Sequence, residues 1–562
     1  MEIKLLAMLV MMVLNVWYCL GCWEEERVAL LNLKANMNFT DGGSMPSWVN
    51  NETASDCCQW EQVKCSNITA RVIELNLYST RNLSLRWSQL VGSIENEGFD
   101  RLSNLRNLEA LDLSGNSFDR KILSSLSRLS SLKYLSLSYI FLRRKHYGNS
   151  SERLFGLTNL EVLDFEGNYY ISENDTLSML NLNDFINLKE LDLSENQFRS
   201  LGTIYGLKYL KVLNLGLNSF NNSIFSSLQG LSSLKSLDLS YNKLEGTIQM
   251  KNIHALSNLL ELDLSSNKID NFTPPTDIKS MHRLQVLKLN YICVSNISNM
   301  MQAWKEFSDI KHFYFQYNCV NGSSGTYDLR RFRRLEGLFL NNSTIDGNIL
   351  QSIGALTSLK ILSLSRCGLN GILPLEGWCE LKNLQELDLS WNEYEGILPS
   401  CVANMTSLRL IKLDNNKFTG NIASSPLSKL TSLEYLSLSS NNFQVPVSFK
   451  AFFNHSNFKF IFLENNEIIN EKESGNSVPS FQLEVFSMSN SSGLQTLGSL
   501  PNFFYYQSNL KFLDLQKNNI GGNFPTWLLE NNTKLRRLYV RDNAFTGTLK
   551  LPTSTNPNMK DF

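Results

Sequence analysis

One hydrophobic pattern, L-x-x-L-x-L-x-x-N, recurs from Arg71 almost to the end of the chain. Leu108, Leu111, Leu113 and Asn116 form one of nineteen copies. Ten consecutive steps, between ninth positions 242 and 491, average 24.9 residues. Independent domains would not repeat at so regular an interval. The pattern therefore predicts one stacked array, although the length of 562 residues alone would suggest several domains.

The spacing within each copy predicts its local structure. The L-x-L alternation predicts a short strand whose leucines point into the core. The asparagine is expected to pair its amide with buried backbone groups where the chain turns. Each copy would bury four or more aliphatic side chains against its neighbours, at roughly 1.5–3 kcal/mol apiece. Six copies lack the asparagine; one of them has Cys367 in its place, and at the other five, Thr80, Ile140, Ile292, Ser343 and Ser491, we expect local, partly hydrated irregularities.

The second half of each copy often carries a glycine four residues after the asparagine, as in Gly371-Ile372-Leu373-Pro374 and Gly396-Ile397-Leu398-Pro399. Glycine permits a tight backbone, and proline favours an extended return. These motifs resemble plant-type leucine-rich repeats, whose signature reads L-x-G-x-I-P. The resemblance implies an α/β-type leucine-rich-repeat solenoid. In this fold a right-handed curved superhelix carries a parallel β-sheet on its concave face and short 3₁₀ or second-strand elements on its convex face.

The cysteines extend the resemblance. Residues 22–70, which include Cys22-Trp23-Glu24 and Cys57-Cys58-Gln59-Trp60, look like the N-terminal cap of plant extracellular leucine-rich-repeat proteins. That resemblance implies the disulfides Cys22–Cys57 and Cys58–Cys65. Cys379 and Cys401 resemble a disulfide clip of plant receptor-like proteins. Cys293 and Cys319 fall one residue past the ninth position of neighbouring copies, so a bridge between them stays open, and Cys367 occupies an asparagine position as an expected buried thiol.

The first segment is interpreted as a targeting signal. Residues 1–21 combine a short polar start with an apolar run too short to span a bilayer, which predicts a secretory signal peptide and no membrane span after its cleavage. Export agrees with the cysteine content and with sixteen Asn-x-Ser/Thr sequons. The glycosylation candidates are Asn38, Asn51, Asn67, Asn82, Asn149, Asn174, Asn221, Asn271, Asn404, Asn454 and Asn531.

The repeats are assigned to residues 71–562, and the chain ends inside a twentieth copy, where Met559 and Phe562 hold the first two leucine positions. We therefore expect a product truncated before a membrane segment. The 52 basic and 53 acidic residues give a net charge of −1, which offers no reason to expect a nucleic-acid partner. The sequence contains no catalytic motif or metal-ligand spacing, so we predict no enzyme, no metal and no cofactor.

The residue between the two inner leucines is predicted to face the concave side. This residue is mostly acidic in the early copies, and between positions 288 and 391 it is mostly not acidic. Aromatic residues and arginine are enriched at the centres of interfaces. The candidate ligand-binding patch therefore consists of Lys288, Tyr291, His312, Tyr314, Gln316, Tyr317, Phe339, Arg366 and Trp391. Sequons at Asn341 and Asn342 fall on this strip, and a glycan there would argue against it.

The resemblance to plant receptor-like proteins implies a function. It suggests an ectodomain that recognises a protein, peptide or glycan ligand and signals through a receptor-kinase co-receptor, in defence or development. The full-length protein would then sit at the plasma membrane, and the chain as given would be extracellular. Two alternatives stay open: a secreted leucine-rich-repeat inhibitor of a microbial cell-wall-degrading enzyme, and a non-functional truncated receptor fragment.

Overall fold

The computed structural model describes most of the chain outside its first residues. The described ranges are 22–35, 45–49, 56–77, 101–143, 153–170, 180–202, 204–273, 283–294, 300, 303–304, 307–320, 329–345, 349–375, 377–469, 477–491, 500–548 and 559–561. The predicted signal peptide lies outside them. The chain divides into two compact units: unit 1 holds residues 1–245 and 251–267, and unit 2 holds residues 246–250 and 268–562.

Unit 1 contains the cap and the first repeats. Its main described strands are Val63–Cys65, Val72–Asn76, Ala110–Asp112, Tyr134–Ser136, Val162–Asp164, Glu190–Asp192, Val212–Asn214, Ser236–Asp238 and Glu261–Asp263. A second pair, Ser117–Asp119 and Phe141–Arg143, lies outside this sheet. Its α-helices are Glu24–Ala35, Ile122–Leu126 and Ile224–Leu228, and its 3₁₀ helices are Cys57–Gln59, Arg101–Asn104 and Leu182–Asp184.

Unit 2 repeats the same arrangement. Its main described strands are Val286–Lys288, His312–Tyr314, Gly337–Phe339, Ile361–Ser363, Glu386–Asp388, Leu410–Lys412, Tyr435–Ser437, Phe460–Phe462, Val485–Ser487, Phe512–Asp514 and Arg537–Tyr539. A second set comprises Lys268–Thr273, Cys293–Val294, Cys319–Val320, Asn370–Ile372, Glu393–Gly396, Lys417–Asn421, Asn442–Pro446, Glu467–Ile469, Gly521–Asn523 and Ala544–Thr546.

Helical turns in unit 2 connect the strands of one rung to those of the next. The α-helices are Ile349–Ser352 and Trp527–Asn531. The 3₁₀ helices are Leu329–Arg331, Ile353–Ala355, Trp378–Glu380, Ser400–Asn404, Pro426–Lys429, Lys450–Phe452 and Asn502–Tyr506. Two elements cross the division between the units, the strand Glu245–Gln249 and the helix Met250–His254.

The leucine spacing explains this architecture. In unit 1, Leu108, Leu111 and Leu113 are fully buried, as are Leu384 and Leu389 in unit 2. The cap strand Val63–Cys65 pairs antiparallel with Val72–Asn76. Within each unit the strands of neighbouring repeats pair in parallel, so equivalent residues lie side by side, as Val286, His312 and Gly337 do. Buried leucines therefore stack on leucines along each core. The predicted leucine-rich-repeat solenoid is confirmed.

The predicted asparagine ladder is present. The amide of Asn416 donates hydrogen bonds to the carbonyls of Leu389 at 3.0 Å, Leu413 at 3.0 Å and Asp414 at 3.3 Å. Its oxygen accepts the Tyr394 N–H at 3.0 Å. One buried side chain thus satisfies backbone groups of two repeats, which would otherwise be costly to bury.

Three of the ladder's irregular positions are buried and have protein partners in place of the expected water, whereas Ser491 is half-buried and its hydroxyl has no hydrogen-bond partner among the described residues. Ile140 and Ile292 are buried. The backbone N–H of each isoleucine donates a hydrogen bond to the side-chain oxygen of the ladder asparagine in the next repeat. Ser343 is 1% exposed, donates to the Phe315 carbonyl at 2.7 Å and accepts the Asn318 N–H at 3.1 Å. A serine can do this because its hydroxyl both donates and accepts. Thr80 lies outside the described residues.

A buried carboxylate joins the cap to the first repeat. Glu26, on helix Glu24–Ala35, accepts the Val72 N–H at 3.0 Å and pairs with Arg71 at 3.3 Å. Burial raises the pKa of Glu26, and its bonds to Val72 and Arg71 oppose that rise. The rings of Trp48 and Trp60 stack 5.6 Å apart beside this helix. The cap therefore covers the first rung with both apolar and hydrogen-bonded contacts.

Four disulfides connect described cysteines. Two are the cap bridges implied by the resemblance, Cys22–Cys57 and Cys58–Cys65, and a third joins Cys379 to Cys401. The pair left open is also bonded, because strands Cys293–Val294 and Cys319–Val320 lie in parallel register with the two sulfurs facing each other. Cys367 is a free buried thiol that donates to the Leu340 carbonyl, and burial raises its pKa to about 12.

The elements that connect the main strands differ in one respect from the expected 3₁₀ and second-strand elements. Alongside the 3₁₀ turns and second strands, short α-helices such as Ile224–Leu228 also occur. Gly371 and Gly396 of the repeat motif have φ values of 77° and 75°, the left-handed region where glycine is favoured.

Near the C-terminus, Asp561 forms a parallel bridge with Arg537, so residues 559–561 continue the stack. Among the helices that are described, none is long and apolar enough to cross a bilayer.

Candidate functional site

The solvent side of the unit 2 sheet carries rows of aligned side chains. Because the strands pair in register, Tyr314, Phe339 and Ser363 of successive repeats lie in one row. The row continues through Asp388 and Lys412 to Ser437 and Phe462. These residues alternate with buried leucines along each strand, which points them away from the core.

The aspartates of these rows have a structural task that the sequence reading missed. Asp388 accepts hydrogen bonds from the backbone N–H of Ser390 at 3.0 Å and from its hydroxyl at 2.6 Å. In unit 1, Asp238 accepts the Ser240 N–H at 2.7 Å, and Asp192 bonds Ser194 in the same way. The acidic side chains therefore stabilise the turn after each strand. The recurring L-D-L-S motif was the available signal.

A rim of bulky residues runs along one side of the unit 2 sheet. Tyr291, Tyr317, Arg366 and Trp391 each precede the ninth, ladder position of their repeat, and their φ values lie between 54° and 56°. Each of the three aromatic side chains is about half exposed. Left-handed backbone is unfavourable for large side chains, and the same position elsewhere holds asparagine, as at Asn415 and Asn465.

The predicted patch residues associate mainly as pairs. The rings of Tyr291 and Tyr317 stack 4.5 Å apart, and those of Tyr314 and Phe339 stack at 4.4 Å. The guanidinium of Arg366 lies 4.4 Å from the centre of the Trp391 ring, a cation–π contact. Both stacks and this contact join neighbouring repeats, so the register of the sheet creates them.

The two other predicted basic residues lie farther from this rim. Lys288 is half-buried on its strand, in register with Tyr314. His312 is also half-buried, and its Nδ1 atom has no hydrogen-bond partner among the residues that the structure describes. The neighbouring residue, Gly337, leaves room for it: a methyl group there would lie 2.7 Å from that nitrogen and 2.8 Å from the Phe339 ring.

An open groove of about 720 Å³ lies on the same side of the sheet. It includes four predicted residues, Gln316, Tyr317, Arg366 and Trp391, and leaves out the other five. Its remaining lining is mostly polar and extends farther toward the C-terminus: Asn341, Asn342, Ser365, Asp388, Ser390, Lys412, Asp414, Tyr435, Ser437, Ser439, Phe462, Glu464 and Asn465.

The C-terminal half of the groove is the part that sequence reasoning missed. The signal was present, because Lys412 and Phe462 occupy the same strand position as Tyr314 and Phe339. In this half, the ring of Tyr435 lies 5.4 Å from that of Phe462. Burial raises the pKa of Tyr435, and the nearby Asp414, Glu464 and Asp388 charges raise it further. The groove therefore combines aromatic rings with carboxylates.

The sequon asparagine on the groove floor, Asn341, already accepts hydrogen bonds within the chain. The side-chain oxygen of Asn341 accepts the Ser363 hydroxyl at 2.7 Å and the Ser365 N–H at 2.9 Å. By contrast, the exposed candidates Asn221, Asn404, Asn454 and Asn531 lie in or beside helical segments, away from the strands. Asn67 is exposed in the cap and Asn271 is half-buried, while Asn38, Asn51, Asn82, Asn149 and Asn174 lie outside the described residues.

The site offers no arrangement suited to a metal. Within the ranges described above, no group of three or more His, Cys, Asp or Glu side chains is placed to bind an ion. The polar lining consists of hydroxyls, amides and charges spread over several repeats. This arrangement suits recognition of a ligand through many weak contacts.

Models of known families match both the cap and the repeats. The leucine-rich-repeat N-terminal domain matches residues 24–66. Leucine-rich-repeat models match residues 107–129, 186–244, 255–271, 383–405, 432–452 and 509–531. Of the four cysteines in the first two disulfides, the cap match includes all but Cys22, which lies just before it. The repeat matches fall on both units.

Curated relatives are similar along nearly the whole chain. Cuscuta receptor 1 of Solanum lycopersicum is 38% identical, over 96% of this chain and 48% of that protein. Receptor-like protein 1 of Arabidopsis thaliana is 30% identical, over 95% of this chain and 45% of that protein. The chain thus spans about half the length of these relatives.

A solved structure shows the same fold. The structure of the Arabidopsis receptor kinase HAESA, in complex with a peptide hormone and a co-receptor, aligns with 93% of this chain and 86% of its own. The TM-score is 0.52 and the sequence identity is 22%, a likeness of fold alone.

Proposed function

Because this chain is a leucine-rich-repeat protein that matches plant receptor-like proteins over 95% or more of its length, we propose that it is an extracellular ligand-recognition region. Its ligand is a protein, peptide or glycan that contacts the unit 2 groove. Signalling, in defence or development, then passes through a partner receptor kinase at the cell surface.

The observation that carries this proposal is the rim of the groove. Arg366 and Trp391 occupy left-handed backbone positions where asparagine would fit with less strain, and both side chains are exposed. Large exposed side chains such as Lys517 hold the same position outside the groove, so Arg366 and Trp391 are distinguished by their place in the groove lining and by their cation–π contact. Arginine and tryptophan are also the residues that most often dominate binding energy at interfaces.

The groove floor supports the same reading. The hydroxyl oxygens of Ser390 and Ser365 lie 2.9 Å apart, within hydrogen-bond distance, and the engaged amide of Asn341 lies beside them. These bonds hold polar groups in place before any ligand arrives, which lowers the entropic cost of binding. A glycan attached to the Nδ2 atom of Asn341 would fill the groove beside these groups, so we propose that this sequon is unoccupied.

The proposal is tested with substitutions that keep the backbone. The double variant Arg366→Asn/Trp391→Asn retains a residue type that tolerates the left-handed conformation. We expect it to retain at least tenfold less of the ligand than the unmodified chain does, when both are immobilised and exposed to the peptide and oligosaccharide fraction of plant extracellular fluid. Mass spectrometry of the eluate gives the measurement.

A matched control separates the groove from the backbone position. Lys517 has the same place in its repeat, a φ of 57° and an exposed side chain, and it does not line the groove. Lys517→Asn should retain the same molecules as the unmodified chain. Equal retention by the double variant, or no retained molecule at all, would count against the proposed function.

A further inference from the structure

The C-terminal end of the groove has a distinct composition. The ring of Tyr435 forms its centre, with Phe462 at 5.4 Å and the ammonium of Lys412 at 5.7 Å from the ring centre. Asp414 and Glu464 follow the two strands that flank the Tyr435 strand, and both are half-buried. Aromatic rings flanked by carboxylates form an environment that favours an organic cation.

The two carboxylates are held by neutral donors. Asp414 accepts the Ser437 hydroxyl at 3.0 Å and the Asn415 amide at 3.2 Å. Glu464 accepts the Ser439 hydroxyl. Among the described residues, no lysine, arginine or histidine pairs with either carboxylate within 4.0 Å. Their negative charge is therefore positioned but is not neutralised by any basic side chain in the described part of the chain.

We propose that this end of the groove binds an arginine or lysine side chain of a peptide ligand, seated on Tyr435 between Asp414 and Glu464. The inference rests on the proposed function and assigns its ligand a chemical class. An arginine fits best, because its planar guanidinium can lie flat on an aromatic ring while its edge donates two hydrogen bonds to a carboxylate.

The dimensions of the groove favour a peptide over a small cation. Its lining runs from Gln316 to Asn465, which spans seven rungs. At about 4.8 Å between neighbouring strands, six steps cover about 29 Å. An extended chain advances about 3.3 Å per residue, so about nine residues could follow the groove. One cationic side chain would anchor such a peptide at one end, with Arg366 and Trp391 contacting it nearer the other.

Lys412 provides an internal competitor. Its ammonium faces the same Tyr435 ring that the ligand cation would use. Replacing it with a neutral side chain would remove a like charge from the site and free the ring face. Lys412→Gln should therefore strengthen binding of a cationic peptide, by about threefold or more, whereas a purely structural role for Lys412 predicts no gain or a loss.

The probe for this site is the tripeptide acetyl-Ala-Arg-Ala-amide, compared with its citrulline analogue, which has nearly the same shape and no charge. Binding is measured by calorimetry or by ligand-observed magnetic resonance on the whole chain. We expect the citrulline peptide to bind at least tenfold more weakly. We expect Asp414→Asn/Glu464→Gln to weaken arginine-peptide binding at least tenfold and to leave citrulline-peptide binding unchanged.

Glu386→Gln supplies the control, because Glu386 is an exposed carboxylate on a neighbouring strand outside the groove lining. It should bind the arginine peptide as the unmodified chain does. Equal binding of the two peptides, no binding of either, or no effect of Asp414→Asn/Glu464→Gln would overturn the proposal. Putrescine binding as tightly as the arginine peptide would also overturn it, by assigning the site to a small cation.

These outcomes are separable from those of the proposed function. If the arginine peptide fails while Arg366→Asn/Trp391→Asn still loses its extracellular ligand, the cation site alone is wrong. Normal thermal unfolding of Asp414→Asn/Glu464→Gln would exclude a folding defect as the cause of lost binding. Lys412→Gln adds a gain of affinity, which a damaged fold cannot produce.

Discussion

Substituting Asn416 with alanine is expected to lower the free energy of unfolding by about 3 kcal/mol. The substitution removes the amide that donates to the carbonyls of Leu389, Leu413 and Asp414 and the oxygen that accepts the Tyr394 N–H. Asn416 is 8% exposed, so water cannot readily replace these bonds. Urea unfolding followed by tryptophan fluorescence gives the measurement.

Asn383→Ala is the matched control for the ladder. The amide of Asn383 also crosses between repeats, donating to the Thr357 carbonyl at 2.9 Å, but it is exposed. Its loss should cost less than about 1 kcal/mol, because water can take its place. If both substitutions had the same effect, burial of the amide would not be what makes the ladder stabilising.

Gly354→Ala is expected to destabilise the chain by about 2–3 kcal/mol. A methyl group at Gly354 would lie 2.2 Å from the carbonyl oxygen of Gly377 and 2.6 Å from its carbon. Backbone atoms cannot rotate away as a side chain can. Gly377 itself has a φ of 85°, and a methyl group there would meet the Gln351 carbonyl at 2.8 Å. The two repeats can therefore approach closely only with glycine at both places.

The comparison is Gly230→Ala, and thermal unfolding measures the stability of both variants. A methyl group at Gly230 would meet its nearest atom, the Ile204 carbonyl oxygen, at an ordinary 3.5 Å. Alanine also reduces the entropy of the unfolded chain, so this variant should be neutral or more stable by up to about 1 kcal/mol. A loss at Gly230 as large as that at Gly354 would refute the explanation by close backbone contact.

The sequence predicted the fold well because the same residues that define the pattern do the packing. The position of Leu111 is buried at every rung that the structure describes, and the position of Asn116 is buried at all of them except Ser491 and Asn543, so periodicity alone locates the core and the turn. Ser343 was misjudged because a serine suggests access to water, whereas here its hydroxyl replaces two of the asparagine's bonds. Periodicity does not reveal which substitute can satisfy a buried backbone.

The candidate site was only partly predictable. Tyr317, Arg366 and Trp391 were predicted because exposed aromatic residues and arginine stand out in the pattern, and all three line the groove. The predicted patch ends at Trp391 because Asp388 resembled a return of the acidic run, whereas the groove continues beyond it and the Asp388 carboxylate bonds Ser390. Contacts such as Lys412 with Tyr435 depend on the register between separate repeats, which no single repeat encodes.

The most direct test of the account is a surface-labelling experiment on the intact chain. A photogenerated carbene labels exposed side chains, and mass spectrometry reads the labelling with and without the retained extracellular ligand. Trp391 and Tyr435 should be protected by the ligand, whereas Tyr505 and Tyr506, on the 3₁₀ helix Asn502–Tyr506, should label equally in both samples. Protection confined to the helical side, with Trp391 and Tyr435 unchanged, would contradict the assignment of the sheet groove as the recognition surface.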